Sequence, residues 1–142
     1  EERILSFGHK LFERDITKDN KDSIKKIVTR WSSNKEVDVI ITSGGTGLTE
    51  TDVTPEALEE IFEKTISGFS TIFHQISFGK INTSTIQSRA TAGILKETFI
   101  FALPGSPSAV KDGWDEILLH QLDSRHKPCN FVDILPRLKE DI

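Results

Sequence analysis

The feature that most constrains the fold is an apolar strand that runs directly into glycines. Residues 37–41 read VDVII, a β-branched run that is typical of a strand buried on both faces. The segment SGGTG follows at residues 43–47, and Thr54-Pro55-Glu56 comes shortly after it. This triplet is typical of a helix start, with Thr54 as N-cap and Pro55 in the first helical position. A strand, a glycine loop and a helix in this order predict one unit of an α/β fold.

The glycine loop has the composition of an anion site. Glycine permits φ > 0 and a close backbone approach, so successive N–H groups can converge on a phosphate in front of a helix N-terminus. The loop is not a Walker A loop, because no Lys-Ser/Thr pair follows, and it lacks the G-x-G-x-x-G spacing. A plain turn between strand and helix is equally compatible with this composition. The candidate binding residues are Ser43, Gly44, Gly45, Thr46 and Gly47.

A single acid, Asp52, lies between the loop and the helix. Because Thr54 is the better cap, Asp52 is left free to face a cleft. A carboxylate near nucleotide phosphates usually holds Mg²⁺, which takes one or two protein carboxylates and keeps several waters. Asp19, at another predicted strand-to-helix junction, is the candidate for a second ligand, although a helix cap is the simpler interpretation of Asp19.

A second tight loop, Pro104-Gly105-Ser106-Pro107, also follows an apolar strand. Ser106 is a candidate phosphate donor and a candidate N-cap, and the two roles are compatible. Arg89, preceded by Ser88, offers a fixed positive charge that suits an anion, but a solvated helix face is an equal alternative. Ligands of α/β sheets lie at the carboxyl ends of strands. We therefore expect both loops at one edge of the sheet.

The remaining pattern predicts alternating strands and helices, which indicates an α/β class with a mainly parallel sheet and helices on both faces. We expect one domain over residues 1–142. The tail, residues 125–142, is mixed. The predicted strands are His9–Thr17, Val37–Ile41 and Thr98–Leu103; the predicted helices are Ser23–Trp31, Thr54 to about Thr65, Phe69–Ile76, Thr83–Leu95 and Ser108–Leu122.

Composition excludes several classes of function. The net charge is −4 and there is no Lys/Arg block, which argues against broad nucleic-acid binding. No apolar run approaches the ~18–20 residues of a membrane span. The one cysteine, Cys129, excludes an internal disulfide framework and fits a reducing cytoplasm. The histidines lack H-x-x-x-H spacing and no G-x-S-x-G is present, so neither a zinc site nor a serine hydrolase is supported.

The first residues, EERILSFG, are typical of the last turns of a helix, with Gly8 as its C-terminal stop. A helix at the very start that feeds a strand leads to the hypothesis that an N-terminal strand is missing before residue 1.

Taken together, the loops resemble the molybdenum cofactor biosynthesis MoaB/MogA family, and QLDSRHKPCNF is most similar to the MoaB branch. The resemblance covers nearly the whole chain. The motifs that carry it are TSGGTGLTETDVTPEAL at 42–58, GF at 68–69, QISF at 75–78, TSTIQSRATAG at 83–93, FIFALPGS at 99–106 and QLDSRHKPCNF at 121–131.

The resemblance implies a Rossmann-like, three-layer α/β/α domain with a mostly parallel sheet. Family members bind molybdopterin, and the characterised activity is its adenylylation by Mg-ATP. By resemblance, Gly44–Gly47 is the family's glycine loop, Asp52 is its essential acid and Asp19 is its second acid. Pro104-Gly105-Ser106 matches its Pro-Gly-Ser/Asn loop and Ser88-Arg89 its Ser-Arg pair. In this interpretation Asp52 and Asp19 hold Mg²⁺, the glycine loop binds the ATP phosphates, and Ser106 with Arg89 seats the pterin phosphate.

One part of the family pattern is absent here: an opening strand with a Thr-x-Ser-Asp-type stretch and a following Asp-x-Ser-Gly loop. Two other functions stay open, a non-catalytic molybdopterin-binding carrier and an oligomeric scaffold. The resemblance also implies a homotrimer or hexamer that works in the cytoplasm with other molybdenum cofactor biosynthesis proteins, without nucleic acid or membrane.

Overall fold

The computed structural model describes residues 1–138, which form one four-stranded sheet with the strand order β1-β4-β3-β2. The strands are β1 (Val39–Ser43), β2 (Lys64–Thr65), β3 (Thr91–Leu95) and β4 (Thr98–Leu103). The helices are α1 (Glu2–Ser6), α2 (Lys21–Ser32), α3 (Thr54–Glu59), α4 (Ser67–Ile81), α5 (Pro107–Asp112), α6 (Leu119–Gln121) and α7 (Phe131–Leu138). A 3₁₀ segment spans Asn82–Gln87, and a π-helical segment, Gly113–Leu118, joins α5 to α6.

Helical layers cover both faces of the sheet, which confirms the three-layer α/β/α fold. Strand β4 shows this most directly, because its residues alternate between two cores. Phe99, Phe101 and Leu103 lie in one core with residues from α4 and the π segment. Ile100 and Ala102 lie in the other core with residues from α2 and α3. All six residues of β4 are buried, as its apolar sequence predicts for a central strand.

The sheet is mixed rather than mostly parallel. Strands β1 and β4 pair in parallel, with Val39 opposite Phe99 and Ser43 opposite Leu103. Strand β3 pairs antiparallel with both β4 and β2. The reason is the connection: residues 96 and 97 turn β3 directly into β4, with Lys96 at φ 55°, and such a tight turn joins only antiparallel strands.

The predicted helix Thr83–Leu95 is wrong. Its first part is the 3₁₀ segment and its second part is β3, which is buried at Thr91, Ala92 and Leu95. A Cβ on Gly93 would lie 2.3 Å from the Phe62 ring. The glycine that weakens a helix therefore has a packing role in the strand, because it lets the ring lie against the backbone.

Three other predictions also differ from the structure. Strand β1 is Val39–Ser43 instead of the predicted Val37–Ile41. Residues 9–17 form no strand: Ile16 is 87% exposed, and Glu13 accepts hydrogen bonds from Arg30 and Trp31 of α2 instead. The helix after Pro55 ends at Glu59 instead of running to about Thr65, because Lys64–Thr65 pairs with β3 as β2. Residues 9–17 have no neighbouring strand with which to form hydrogen bonds. In β2, the pairing with β3 outweighs the helix propensity of the local sequence.

The remaining helix predictions are confirmed, with shifts at their ends. Helix α2 contains Ser23–Trp31, and α4 extends the predicted Phe69–Ile76 in both directions. Helical structure runs from Pro107 to Gln121, close to the predicted Ser108–Leu122, and a Cβ on Gly113 would come within 2.6 Å of Leu103 Cδ2. That glycine lets the π segment pack against β4.

Gly8 ends α1 as predicted. Its φ is +83°, and the N–H groups of Gly8 and His9 donate to the carbonyl oxygens of Leu5 and Ile4. This is a Schellman arrangement, which favours glycine at the left-handed position. None of the helices described in residues 1–138 is long and apolar enough to cross a membrane.

Candidate functional site

The two glycine-bearing loops lie side by side at the carboxyl ends of β1 and β4. The backbone N–H of Gly44 donates to the carbonyl oxygen of Leu103 at 3.0 Å, and Ser43 Oγ donates to the carbonyl oxygen of Pro104 at 3.3 Å. A Cβ on Gly105 would lie 3.3 Å from Gly44 Cα. The parallel pairing of β1 and β4 therefore brings the loops together, as expected from the sequence.

The glycine loop has a backbone that only glycine adopts readily. Gly44 and Gly45 have φ values of +101° and +69°. Among residues 1–138, no atom beyond Gly44 and its two chain neighbours lies within 4 Å of a Cβ placed on Gly44, so the backbone there is open to an approaching ligand. The N–H groups of Gly45 and Thr46 have no acceptor among residues 1–138. Two adjacent unpaired donors, at and directly after left-handed glycines, are the basis of an anion site.

Thr54 anchors this loop, and its predicted role as an N-cap is wrong. Helix α3 has Val53 at the N-cap position, with no side-chain capping bond. The buried Thr54 instead donates from Oγ1 to the carbonyl oxygen of Gly44 and from its N–H to that of Gly45, both at 3.0 Å. A Cβ on Gly45 would lie 2.3 Å from Thr54 Oγ1. The threonine fixes the glycine loop because only glycine leaves room for it.

Asp52 closes a turn directly after the glycine loop. Its Oδ2 accepts hydrogen bonds from Thr49 Oγ1 at 2.7 Å and from the Thr49 N–H at 3.0 Å. The hydroxyl and then the amide of Thr49 lower the pKa of Asp52, with a smaller contribution from the positive charge of Arg89. Asp52 is half-buried and is ionised at neutral pH, which is the state a metal ligand needs.

Arg89 binds the backbone of the same segment. Its Nε donates to the carbonyl oxygen of Gly47 and one terminal nitrogen donates to that of Asp52, each at 2.8 Å. The Arg89 N–H donates to the carbonyl oxygen of Thr46 at 2.9 Å. Its other terminal nitrogen forms an ion pair with Glu56. The guanidinium is therefore engaged by the loop itself, and Arg89 does not lie on a helix, in contrast to the solvated helix face that is one of its two predicted positions.

Glu56 is the residue of this cluster that sequence reasoning missed. It lies in the first turn of α3, where an acid is ordinary because of the helix dipole. The side-chain hydrogen bond from Arg89 lowers the pKa of Glu56. Its Oε2 is buried and has no partner in the described residues. No sequence signal identifies the pairing, since Glu56 and Arg89 lie 33 residues apart.

The other predicted residues have local structural roles that leave their proposed functions open. Ser106 is the N-cap of α5, because its Oγ accepts from the Ala109 N–H at 3.2 Å. The Oγ of Ser88 accepts from the Ala90 N–H at 3.3 Å. Ser88 also borders a shallow cleft of about 420 Å³, which lies beside the candidate site and is lined by His74, Phe78, Thr83, Thr85, Ile86 and Ser88.

Asp19 is exposed and lies one residue before the true cap of α2. Asn20 performs the capping, with its Oδ1 accepting from the Ser23 N–H at 2.8 Å. Asp19 takes part in no hydrogen bond or ion pair of the described chain. Across residues 1–138, no three His, Cys, Asp or Glu side chains are placed to hold one metal ion together. Any Mg²⁺ at this site would therefore rely on substrate oxygens and water for most of its ligands.

The fold and the paired loops define an α/β protein with a candidate phosphate site. The family profile described as "Probable molybdopterin binding domain" matches residues 1–124. The chain therefore belongs to the molybdenum cofactor biosynthesis MoaB/MogA family.

Individual relatives agree with this assignment. The chain is 45% identical over 133 residues to molybdenum cofactor biosynthesis protein B of Escherichia coli K12, which covers 94% of this chain and 76% of that protein. It is 48% identical over 96 residues to a "Probable molybdopterin adenylyltransferase" of Methanocaldococcus jannaschii, covering 68% of this chain and 59% of that one. A crystal structure of a molybdenum cofactor biosynthesis protein B superimposes with a TM-score of 0.85 at 35% identity, covering 96% of this chain and 80% of the other.

Proposed function

We propose that this protein binds molybdopterin at the paired loops and adenylylates it with Mg-ATP, releasing pyrophosphate. The observation that carries the proposal is the open, left-handed glycine backbone at Gly44–Gly45 beside the Pro104–Ser106 loop. Membership of a molybdopterin-binding family and likeness to a relative named as a probable adenylyltransferase support this choice of reaction.

The phosphate part of the site follows from the backbone donors. The N–H groups of Gly45 and Thr46 have no acceptor in the described chain, so a phosphate oxygen would satisfy them. Ser43 lies at the start of the same loop, and its hydroxyl donates to the carbonyl oxygen of Pro104 in the neighbouring loop. That neighbouring loop leads through Ser106 to the N-terminus of α5. We place the ATP phosphates at the glycine loop and the pterin phosphate towards Ser106. Attack of the pterin phosphate on the α-phosphorus of ATP then depends mainly on positioning.

The Mg²⁺ part of the proposal rests on Asp52. Its carboxylate is ionised, half-buried and one turn from the glycine loop, and this donor suits a hard cation. We propose Asp52, with Asp19 as the second carboxylate, as the protein ligands of Mg²⁺. When bound, the ion supplies charge neutralisation on the triphosphate. Asp52 also orients the turn through Thr49, which keeps its carboxylate in place whether or not the ion is bound.

Arg89 and Ser88 remain predicted contributors to pterin binding. Since the guanidinium is held by Gly47, Asp52 and Glu56, its support for an anion would be electrostatic and would act through the loop it positions. We further propose that residues 1–142 act as one domain of a cytoplasmic homotrimer or hexamer, together with other proteins of molybdenum cofactor biosynthesis.

Isothermal titration separates this function from its rivals. The protein is titrated with molybdopterin and with ATP, each with and without Mg²⁺. An adenylyltransferase binds both ligands, and its ATP binding requires Mg²⁺. Binding of molybdopterin alone would indicate a carrier, and binding of neither would indicate a scaffold; either result overturns the proposed activity.

A further inference from the structure

Arg89 joins the two ends of one short segment. The segment runs from Gly47 to Asp52 and is called here the acid turn. The Arg89 side chain binds the carbonyl oxygens of both end residues at 2.8 Å. Inside the acid turn, Thr49 and Asp52 exchange bonds: the Asp52 N–H donates to the Thr49 carbonyl oxygen at 3.0 Å, and Thr49 donates twice to Asp52 Oδ2. The carboxylate of Asp52 is thus oriented by a turn that Arg89 clamps.

Glu56, in the first turn of helix α3, binds the end of the Arg89 guanidinium that points away from the acid turn. Its carboxylate pairs with the terminal nitrogen of Arg89 that does not bind the acid turn. A guanidinium has a rigid fork geometry, so fixing one terminal nitrogen fixes the directions of the other donors. The Glu56 carboxylate is partly withdrawn from water, with Oε2 buried and unpartnered in the described residues. A pair in this setting specifies geometry better than an ion pair in open solvent.

We infer that Glu56 is a positioning residue: by orienting the Arg89 fork, it holds the acid turn and the Asp52 carboxylate in the geometry that binding and turnover use. The inference deepens the proposed function and rests on it for its catalytic consequence. Its structural part, that Glu56 governs the acid turn, does not depend on any ligand. Glu56 touches no reacting atom in this account and acts only through Arg89.

Glu60 provides a matched control that distinguishes a positioning role of Glu56 from general stabilisation of the fold. Glu60 lies one turn further along, just past α3, and pairs with Lys21 and Lys25 of α2. Its side chain is 42% exposed and that of Glu56 is 44% exposed. The two acids therefore have similar exposure, and each pairs with cations. Of these two acids, only Glu56 contacts Arg89, which binds both ends of the acid turn.

The test is amide hydrogen exchange on the full chain, comparing wild type with Glu56→Gln, Arg89→Lys and Glu60→Gln. Glu56→Gln and Arg89→Lys should each speed exchange at the Thr49 and Asp52 amides by about tenfold, because the turn opens locally. Exchange in β3 and β4 should stay unchanged, and Glu60→Gln should leave the acid turn as in wild type. Unchanged exchange at residues 49 and 52 in Glu56→Gln, or faster exchange spread equally over β3 and β4, would overturn the inference.

Kinetics then separates this inference from the proposed function. With an active wild type, Glu56→Gln should lower kcat for adenylylation by about tenfold with the KM for molybdopterin within about twofold, as expected for a misplaced catalytic group. A raised KM with unchanged kcat would contradict the positioning role. If the wild-type protein binds neither substrate, the proposed function is refuted. Hydrogen exchange then decides whether Glu56 orients the acid turn.

Discussion

The N–H of Gly44 donates to the carbonyl oxygen of Leu103 at 3.0 Å, and this bond extends the parallel ladder of β1 and β4 by one step beyond Ser43 and Leu103. The loops that follow these strands consequently start from a common point. The pairing of β1 with β4 creates the candidate site, because it brings together residues that are 61 positions apart, such as Ser43 and Pro104.

The glycine loop should tolerate alanine differently at its two left-handed positions. At Gly45, alanine adds backbone strain at φ +69° and a Cβ that would lie 2.3 Å from Thr54 Oγ1. At Gly44, alanine adds only backbone strain, since its Cβ would have no neighbouring atom of the described chain within 4 Å. We expect Gly45→Ala to lower the free energy of unfolding by about 1–3 kcal/mol and Gly44→Ala to lower it less. Urea denaturation measures both, and equal losses would argue against the Thr54 contact.

The contact between the two loops should matter more for ligand binding than for stability. A Cβ on Gly105 would lie 3.3 Å from Gly44 Cα, so Gly105→Ala should push the loops apart by a few tenths of an ångström. We expect about tenfold weaker ATP binding by titration, with a loss of stability below about 1 kcal/mol. Gly79→Ala in the exposed part of α4, where nothing lies within 4 Å, is the control and should bind normally. Normal ATP binding by Gly105→Ala would show that the loop of Pro104–Pro107 does not contribute to the ATP site.

Asp52 should be essential for turnover and dispensable for folding. Asparagine keeps an oxygen that can accept the Thr49 bonds, but it removes the charge that suits Mg²⁺. Asp52→Asn should therefore lower adenylylation by about 100-fold or more, with molybdopterin affinity and thermal stability close to those of wild type. Glu50→Gln, an exposed acid in the same turn, is the control. Unchanged turnover in Asp52→Asn would remove Asp52 from the mechanism.

The ion pairs of Glu60 should make a measurable contribution to thermal stability that is lost in acid. Hydrogen bonds from Lys21 and Lys25 lower the pKa of Glu60 from 4.5 to about 2. A depressed carboxyl pKa gives stability that is complete above the unfolded value and lost as the pH falls through the folded value. The Tm difference between wild type and Glu60→Gln should therefore be constant above pH 4.5 and vanish near pH 2. A difference that persists at the acid end would show that packing, and not charge, is responsible.

Local sequence signals predicted the parts of the fold in which one segment determines its own structure. The apolar run of β4, the Ser106 cap of α5 and the Gly8 stop of α1 are of this kind. The sequence of residues 91–95 does not distinguish a helix from a strand, because Ala, Gly and Ile carry no clear period. Pairing with β4 and burial of Thr91, Ala92 and Leu95 make this segment a strand. The turn into β4 uses Lys96 at positive φ, where sequence reasoning looks for glycine or asparagine.

For the candidate site, the sequence predicts the position of the two loops better than it predicts the contacts of their residues. The order of strands and loops predicts that both loops lie at one edge of the sheet, and the parallel pairing of β1 with β4 confirms this. Thr54 is predicted to cap a helix, but its hydroxyl donates a hydrogen bond to the carbonyl oxygen of Gly44 in the glycine loop. The bonds of Arg89 to Gly47, Asp52 and Glu56 span 33 to 42 residues, and no local pattern encodes them. The assignment of Mg²⁺ to Asp52 and Asp19 stays a prediction.

The most direct test of the account is transfer of the adenylyl group itself. Wild-type protein is incubated with molybdopterin, Mg²⁺ and ATP labelled at the α-phosphorus, and the pterin and the released phosphates are separated. We expect label on molybdopterin, pyrophosphate released in equal amount, and neither product when Mg²⁺ is omitted. Tight binding of molybdopterin with no label transferred would contradict it and would identify the protein as a carrier.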